Sequence, residues 1–153
     1  MNSKGCKNTF EIRIEVASNQ QQFFQLSKVR SLVFVKEQLV EPDIEIDDED
    51  QTAIHFIAYC DNIPSGTCRI VKHDNYYKVG RLAVSKEYRR CGVASKLLCK
   101  VEEYVKNTSI ENLVLHAQVN AIPLYESLGY TEEGSRFYEA NIEHVVMRKK
   151  AIK

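Results

Sequence analysis

The run Arg89-Arg90-Cys91-Gly92-Val93-Ala94 has the makings of an anion site. It follows a stretch that reads as a strand and opens one that reads as a helix. A helix start carries unpaired N–H groups and the positive end of the backbone dipole, and together these bind phosphate. Gly92 lets a phosphate approach the backbone because no side chain stands in the way. Ala94 is nearly as small, and Arg89 and Arg90 add positive charge. The arrangement suits a pyrophosphate. It is not a P-loop, because no Gly-Lys-Ser/Thr follows, and it lacks the three-glycine spacing of a dinucleotide fingerprint. A cysteine at such a helix start, beside two arginines, favours the thiolate, so Cys91 is a candidate nucleophile.

These residues need elements to hold them. Thr9 to Ala17 alternates, with Phe10, Ile12, Ile14 and Val16 on one face, and predicts a strand. Ser18 or Asn19 can cap a helix in which Phe23, Leu26, Val29, Arg30 and Val33 share a face, running to about Lys36. The acidic segment Glu41 to Asp50 reads as a solvated loop. Ala53 to Cys60 and Gly66 to Lys72 read as a hairpin joined by residues 61–65, and Tyr76 to Val84 as the next strand. Val93, Leu97, Val101 and Val105 predict an amphipathic helix ending near Asn107. Leu113 to Ala117 is a short apolar strand. Asn120 can cap a short helix with Pro123 in its first turn, and Gly129 can stop it. Strands at Arg136 to Glu139 and His144 to Arg148 close the chain. The order predicts one α/β domain over residues 1–153, a mixed sheet with helices on both faces.

The bulk properties agree with an ordinary globular domain. The chain has 153 residues, 44% hydrophobic and 27% charged, enough for a real core. Basic and acidic residues number 21 each, so the net basic footprint of a nucleic-acid binder is missing. The five cysteines, Cys6, Cys60, Cys68, Cys91 and Cys99, are odd in number with no C-x-x-C pair. That predicts reduced thiols rather than a disulfide framework or a zinc site, and no metal is expected. No apolar run approaches the roughly 20 residues of a membrane span, and Met1 to Phe10 lacks a secretory signal. A cytoplasmic protein is expected.

The pyrophosphate-binding run resembles motif A of the GNAT acetyltransferase superfamily, R/Q-x-x-G-x-G/A. Val79 to Tyr88 resembles the strand and turn before that motif, and Leu115-His116-Ala117-Gln118-Val119-Asn120-Ala121 the next strand and loop. Pro123 to Tyr130 resembles the family's Y-x-x-x-G-Y/F ending. Val33-Phe34-Val35-Lys36-Glu37-Gln38, with Glu45-Ile46-Asp47, Asp50 and His55, resembles one compact branch. The resemblance spans nearly the whole chain.

It implies that acetyl-CoA lies between two splayed parallel strands, the one ending near Val84 and Leu113 to Ala117. The pyrophosphate would sit on the amides from Arg90 through Cys91, Gly92, Val93 and Ala94 to Ser95, with Arg89 beside them. Leu82-Ala83-Val84 would hold the pantetheine arm, an amide there would polarise the thioester carbonyl, and Asn120 would contact the arm. Tyr125 would be the general acid for the departing thiolate. Glu37 is the candidate catalytic base, with Glu45 and Asp47 as other carboxylates in reach. Direct attack in a ternary complex is preferred over an acyl intermediate on Cys91.

The acceptor is less constrained. The acidic segment, with Glu45 and Asp47, suits a cationic amine. His55 is either a ligand or a hydrogen-bonded structural residue. Arg69, His116, Arg136, His144 and Arg148 suit an anionic group. An amino-sugar phosphate needs both, and the branch resembles enzymes that acetylate glucosamine 6-phosphate. Gly80 and Arg81 depart from that activity's pattern, where acidic residues stand. The alternatives are another small amine, a protein N-terminus or lysine, or a CoA-binding module without catalysis. A homodimer is compatible with the Ile142 to Arg148 stretch.

Overall fold

The structure is a computed structural model and describes residues 9–151. Its strands are β1 (Ile12–Val16), β2 (Ile54–Cys60), β3 (Ile63–Lys72), β4 (Tyr76–Val84), β5 (Asn112–Gln118), β6 (Thr131–Glu139) and β7 (Ile142–Lys150). They form one seven-stranded sheet in the order β1-β2-β3-β4-β5-β7-β6. Among the described residues only the β4–β5 pair is parallel. The helices are α1 (Gln20–Arg30), α2 (Pro42–Glu45), α3 (Val93–Lys106) and α4 (Ile122–Ser127).

Strand alternation sorts the core to two faces. Phe56, Ala58 and Cys60 on β2 pack with Leu97, Leu98, Val101 and Val105 of α3. Ile57 and Tyr59, one residue out of phase, pack with Leu26 of α1 on the opposite face. The mixed sheet covered on both faces is the predicted architecture.

Several local expectations are corrected. The first hairpin turns in two residues, not five: Asp61 and Asn62 both have positive φ (48° and 70°), and β3 begins at Ile63. Paired positive φ values match the turn to strand twist, and Asp and Asn tolerate them. The final hairpin does the same at Ala140 and Asn141, so its strands are longer than predicted. Asn19 caps α1, its side chain accepting from the Gln22 N–H at 2.8 Å. Helix α1 passes at Ser31 into a π-helical segment, Ser31–Glu37. Phe23 is 40% exposed, and Gln22 is buried in its place, its amide donating to Glu15 at 3.0 Å. Asn120 does not cap α4; Ala121 holds that position without a side-chain bond.

The feature that shapes the site is a bulge in β4. Thr67 opposes Ala83 while Arg69 opposes Gly80, so β4 spends one residue more than β3 between these pairs. Arg81 absorbs it with φ of 52°. The extra residue reverses the strand's facing. Val79 and Leu82 both pack on the α3 side although three positions apart, and Ala83 joins Val29 and Val33 on the α1 side. The β4–β5 ladder ends at Val79↔Leu115, just before the bulge.

Candidate active site

Beyond Val79 and Leu115 the two parallel strands run on unpaired with each other, to Val84 and Gln118. Unpaired strand edges leave backbone groups that need partners. Val84's carbonyl takes one from Arg89, whose Nε donates to it at 2.9 Å. After β4 the chain turns through Arg90 (φ 61°) and Gly92 (φ 86°) into α3. No side chain caps α3, and its first helical bond runs from Lys96 N–H to the Gly92 carbonyl at 3.0 Å. The amides of Val93, Ala94 and Ser95 therefore lie ahead of the helical ladder. Among the described residues a Cβ on Gly92 would meet nothing within 4 Å. A freed strand edge leading to uncapped amides fits a long molecule with a phosphate end.

At this gap lies a cleft of about 500 Å³. Phe34, Gln38, Arg69, Leu82, His116 and Tyr125 are among its walls. Tyr125 comes from α4, which Gly129 ends with φ of 94°, letting Tyr130 N–H return to the Tyr125 carbonyl at 3.0 Å. Its ring meets Tyr130 edge-on at 5.9 Å. Burial pushes the Tyr125 phenol well above its ordinary range, with Cys68 adding to the shift, so the proton stays on oxygen. His116 is the first β5 residue past the last ladder pair. Alternation puts Leu113 and Ala117 in the α3-side core, while His116 and Gln118 line the cleft together with Leu115, the last ladder residue.

The acidic segment is not a solvated loop. It forms α2 and a 3-10 turn, Asp48–Gln51, tied down by three arginines. Arg30, on the buried stripe of α1, pairs with Glu45 and, at 2.7 Å, with Asp50. Arg69 on β3 reaches Asp47 and Asp50, both at 2.7 Å. Arg81 donates to the carbonyls of Ile44 and Glu45, both at 3.1 Å, and to Asp47 at 3.2 Å. Those bonds hold the bulge residue in its positive-φ conformation, which costs about 1–3 kcal/mol. Burial works against charge on Asp50, but hydrogen bonds from Arg30 and Arg69 outweigh it and hold the carboxyl well below its usual range. The Arg69 hydrogen bond does the same for Asp47.

The predicted site residues are therefore divided. Leu82, Glu45, Asp47, Arg69, His116, His144 and Tyr125 line one cleft. Glu45 and Asp47 enter it already matched by arginines. His55 stands apart: it is buried, its Nε2–H donates to the Asp50 carbonyl at 3.0 Å, and Phe23 packs edge-on against it. Burial, opposed by that bond, lowers its pKa and keeps it neutral. Among the described residues its Nδ1 finds no hydrogen-bond partner. Glu37 is half exposed and pairs with Arg89 at 2.8 Å. Arg136 is exposed, and Arg148 pairs with Glu133 outside the cleft. Cys60, Cys68 and Cys99 are free thiols; Cys91 is disulfide-bonded, against the expectation of reduced thiols, and Cys6 lies outside the described residues. A sulfur bonded to sulfur offers no thiolate, so the state described here does not use Cys91 as a nucleophile.

Sequence reasoning missed four contributors. Gln38 and Gln118 join across the cleft, Gln118 Nε2 donating to Gln38 Oε1 at 2.9 Å. Glu139 meets His116, and Lys78 lines the floor. The signals were present: Gln118 shares the His116 face of β5, and a buried-stripe arginine such as Arg30 demands a carboxylate partner.

Comparison with known proteins agrees with this geometry. The Acetyltransferase (GNAT) domain family matches residues 15–151. An uncharacterised N-acetyltransferase of Bacillus subtilis (strain 168), YjcF, is 33% identical over 135 residues, covering 88% of this chain and 96% of that protein. The fold also matches an acyl-CoA N-acyltransferase from Pseudomonas aeruginosa with a TM-score of 0.78 at 22% identity, over 92% of this chain and 99% of that one. An aminoglycoside 6'-N-acetyltransferase complexed with coenzyme A matches with a TM-score of 0.74 at 16% identity, over 92% and 98%. Among the described residues no helix is long and apolar enough to cross a membrane. The splayed parallel strands, the uncapped amides and these matches lead to one assignment: the chain belongs to the GNAT acetyltransferase family and is an N-acetyltransferase that uses acetyl-CoA.

Proposed function

We propose that the enzyme transfers acetyl to a small primary amine bearing an anionic group, by direct attack, with Tyr125 as general acid. One observation carries the reading: Tyr125 and the open ends of β4 and β5 share a single cleft of about 500 Å³, the scale of a small-molecule site. In this reading the amides from Arg90 to Ser95, with Arg89 nearby, hold the pyrophosphate. The freed edge at Leu82-Ala83-Val84 aligns the pantetheine arm and directs a backbone N–H at the thioester oxygen, and Asn120 adds a contact to the arm. Donors fixed before reaction need no rearrangement as charge develops on that oxygen.

Tyr125 holds its proton throughout the physiological range because its ring is buried. The proton is therefore in place when the C–S bond breaks, and the burial that raises the phenol's hold on its proton also raises the proton affinity of a thiolate expelled into the same cleft. Lys78 supports the anionic group: it lines the cleft, and no carboxylate pairs with it among the described residues. Glucosamine 6-phosphate is the first acceptor to try, since it pairs an amine with a phosphate.

The test is CoA release, followed with a thiol reagent, on a panel of glucosamine 6-phosphate, polyamines, aminoglycosides and lysine peptides. Turnover of the sugar phosphate alone supports the full reading. Turnover of an uncharged or peptide amine instead discards the anionic group and keeps the acyl transfer.

A further inference from the structure

We infer that His116, oriented by Glu139, is the general base that takes the proton from the attacking amine. The inference rests on the amine-acceptor reading above. His116 Nδ1 lies 2.7 Å from Glu139 Oε1. An ionised carboxylate only accepts, so Nδ1 carries the hydrogen, and in the neutral ring the lone pair is then on Nε2. The pairing fixes the tautomer a base needs, and the carboxylate stabilises the imidazolium that forms. Phe137 meets the His116 ring edge-on at 5.0 Å and limits its rotation. His116, Glu139 and Tyr125 all line the cleft. His116 sits where β5 leaves β4, beside the gap the thioester occupies in the proposed reading.

The other candidate bases are less suited. Glu45 is occupied by Arg30, and Asp47 is held as an anion by Arg69, which lowers its basicity. Glu37 is engaged by Arg89. His144 is also fixed, its Nδ1–H donating to the Ile142 carbonyl at 2.6 Å, but a carbonyl dipole stabilises an imidazolium less than a carboxylate does.

The step balances. The neutral amine attacks the thioester carbonyl carbon, and a C–N bond forms. The nitrogen loses one proton to His116 Nε2. The C–S bond breaks, and the departing sulfur takes the Tyr125 proton. The imidazolium proton returns to the tyrosinate through solvent, leaving an amide and CoA thiol. An amine that arrives protonated first gives its extra proton to solvent.

The experiment uses the full chain and the amine from the panel that it acetylates fastest. His116→Ala is expected to lower kcat about 100-fold, within the range of general-base catalysis, and to leave the KM for acetyl-CoA unchanged. Added imidazole should restore part of that loss. Glu139→Gln should lower kcat about tenfold with no imidazole effect, because the ring is still in place. His116→Ala that binds CoA normally yet keeps kcat within threefold overturns the inference, as does a loss that imidazole does not relieve. A larger loss in His144→Gln than in His116→Ala moves the base to His144 and also overturns it. If His116→Ala fails to bind CoA, Glu139→Gln decides: unchanged kcat overturns, the tenfold loss supports. A wild-type enzyme idle on every amine overturns the acceptor reading and the base with it, whereas an active wild type with an active His116→Ala overturns the base alone.

Discussion

The wall of the site proposed for the cofactor is backbone from one stretch, residues 80–95, of which Gly80, Arg81 and Leu82 line the cleft. The wall proposed for the acceptor is side chains gathered from residues 34–49, 69, 116, 139 and 144, braced from behind by Arg30 and Asp50. The first works through amides and φ angles, so it tolerates many side chains and depends on a few small residues and turns. The second works through charge pairs between residues far apart in sequence, such as Arg30 with Asp50 and Arg69 with Asp47. A change in the first wall should show as cofactor affinity with the fold intact. A change in the second should show as stability.

The largest effect is expected from Arg30→Met. It strips Glu45 of its arginine and leaves Asp50 with Arg69 alone, and Glu45 is only 4% exposed. Leaving a buried charge unpaired costs about 3–5 kcal/mol, or roughly 10 °C in melting temperature for a chain of this size. Thermal unfolding checks it; a shift under about 3 °C would show that the network adds little. The same pairs set an acid limit. Asp47 and Asp50 have folded pKa values below their unfolded ones, so their contribution is complete above an unfolded pKa of about 4. It is lost as pH falls through the folded values, and the Arg30→Met melting difference should shrink there.

Tyr125→Phe tests where the two walls meet. The ring keeps its place against Tyr130 and only the hydroxyl is lost, so folding should hold. With Tyr125 as the acid, kcat should fall about 100-fold at unchanged KM for acetyl-CoA. Equal turnover would remove that role.

Gly92→Val should act on the first wall alone. The penalty is conformational, because a Cβ there has open space but φ is 86°. A left-handed residue costs about 1–2 kcal/mol, which should weaken CoA binding about tenfold by calorimetry. Gly92→Asn tolerates that φ better and should weaken it less. Equal losses would mean the side chain obstructs the ligand and the backbone conformation is not the cause.

This division also explains what was legible beforehand. The strand, turn and helix from Val79 to Val105 could be read because each signal sits within a few residues of the next. The acidic segment misled because a run of carboxylates reads as solvated until Arg30, Arg69 and Arg81 are brought to it. The β4 bulge was hidden for a related reason: an arginine at positive φ has no local sequence signature, and what holds Arg81 there lies at Ile44, Glu45 and Asp47. His116 and Glu139, 23 positions apart, meet only through the β5-β7-β6 order.

The smallest effect, and the sharpest discrimination, belongs to Glu37→Gln. Glu37 sits at the seam between the walls, at the end of the π-helical segment, with its carboxylate on Arg89. Arg89 in turn donates to the Val84 carbonyl, at the strand edge proposed to hold the pantetheine arm. If Glu37 takes the amine's proton, its loss should cost kcat about 100-fold. If it only holds Arg89 in place, an exposed ion pair is at stake, worth about 0–1 kcal/mol. The KM for acetyl-CoA should then shift by about twofold while kcat stays near that of wild type. Steady-state kinetics with acetyl-CoA varied separates the two, since a proton acceptor acts on turnover and an arginine support acts on cofactor binding.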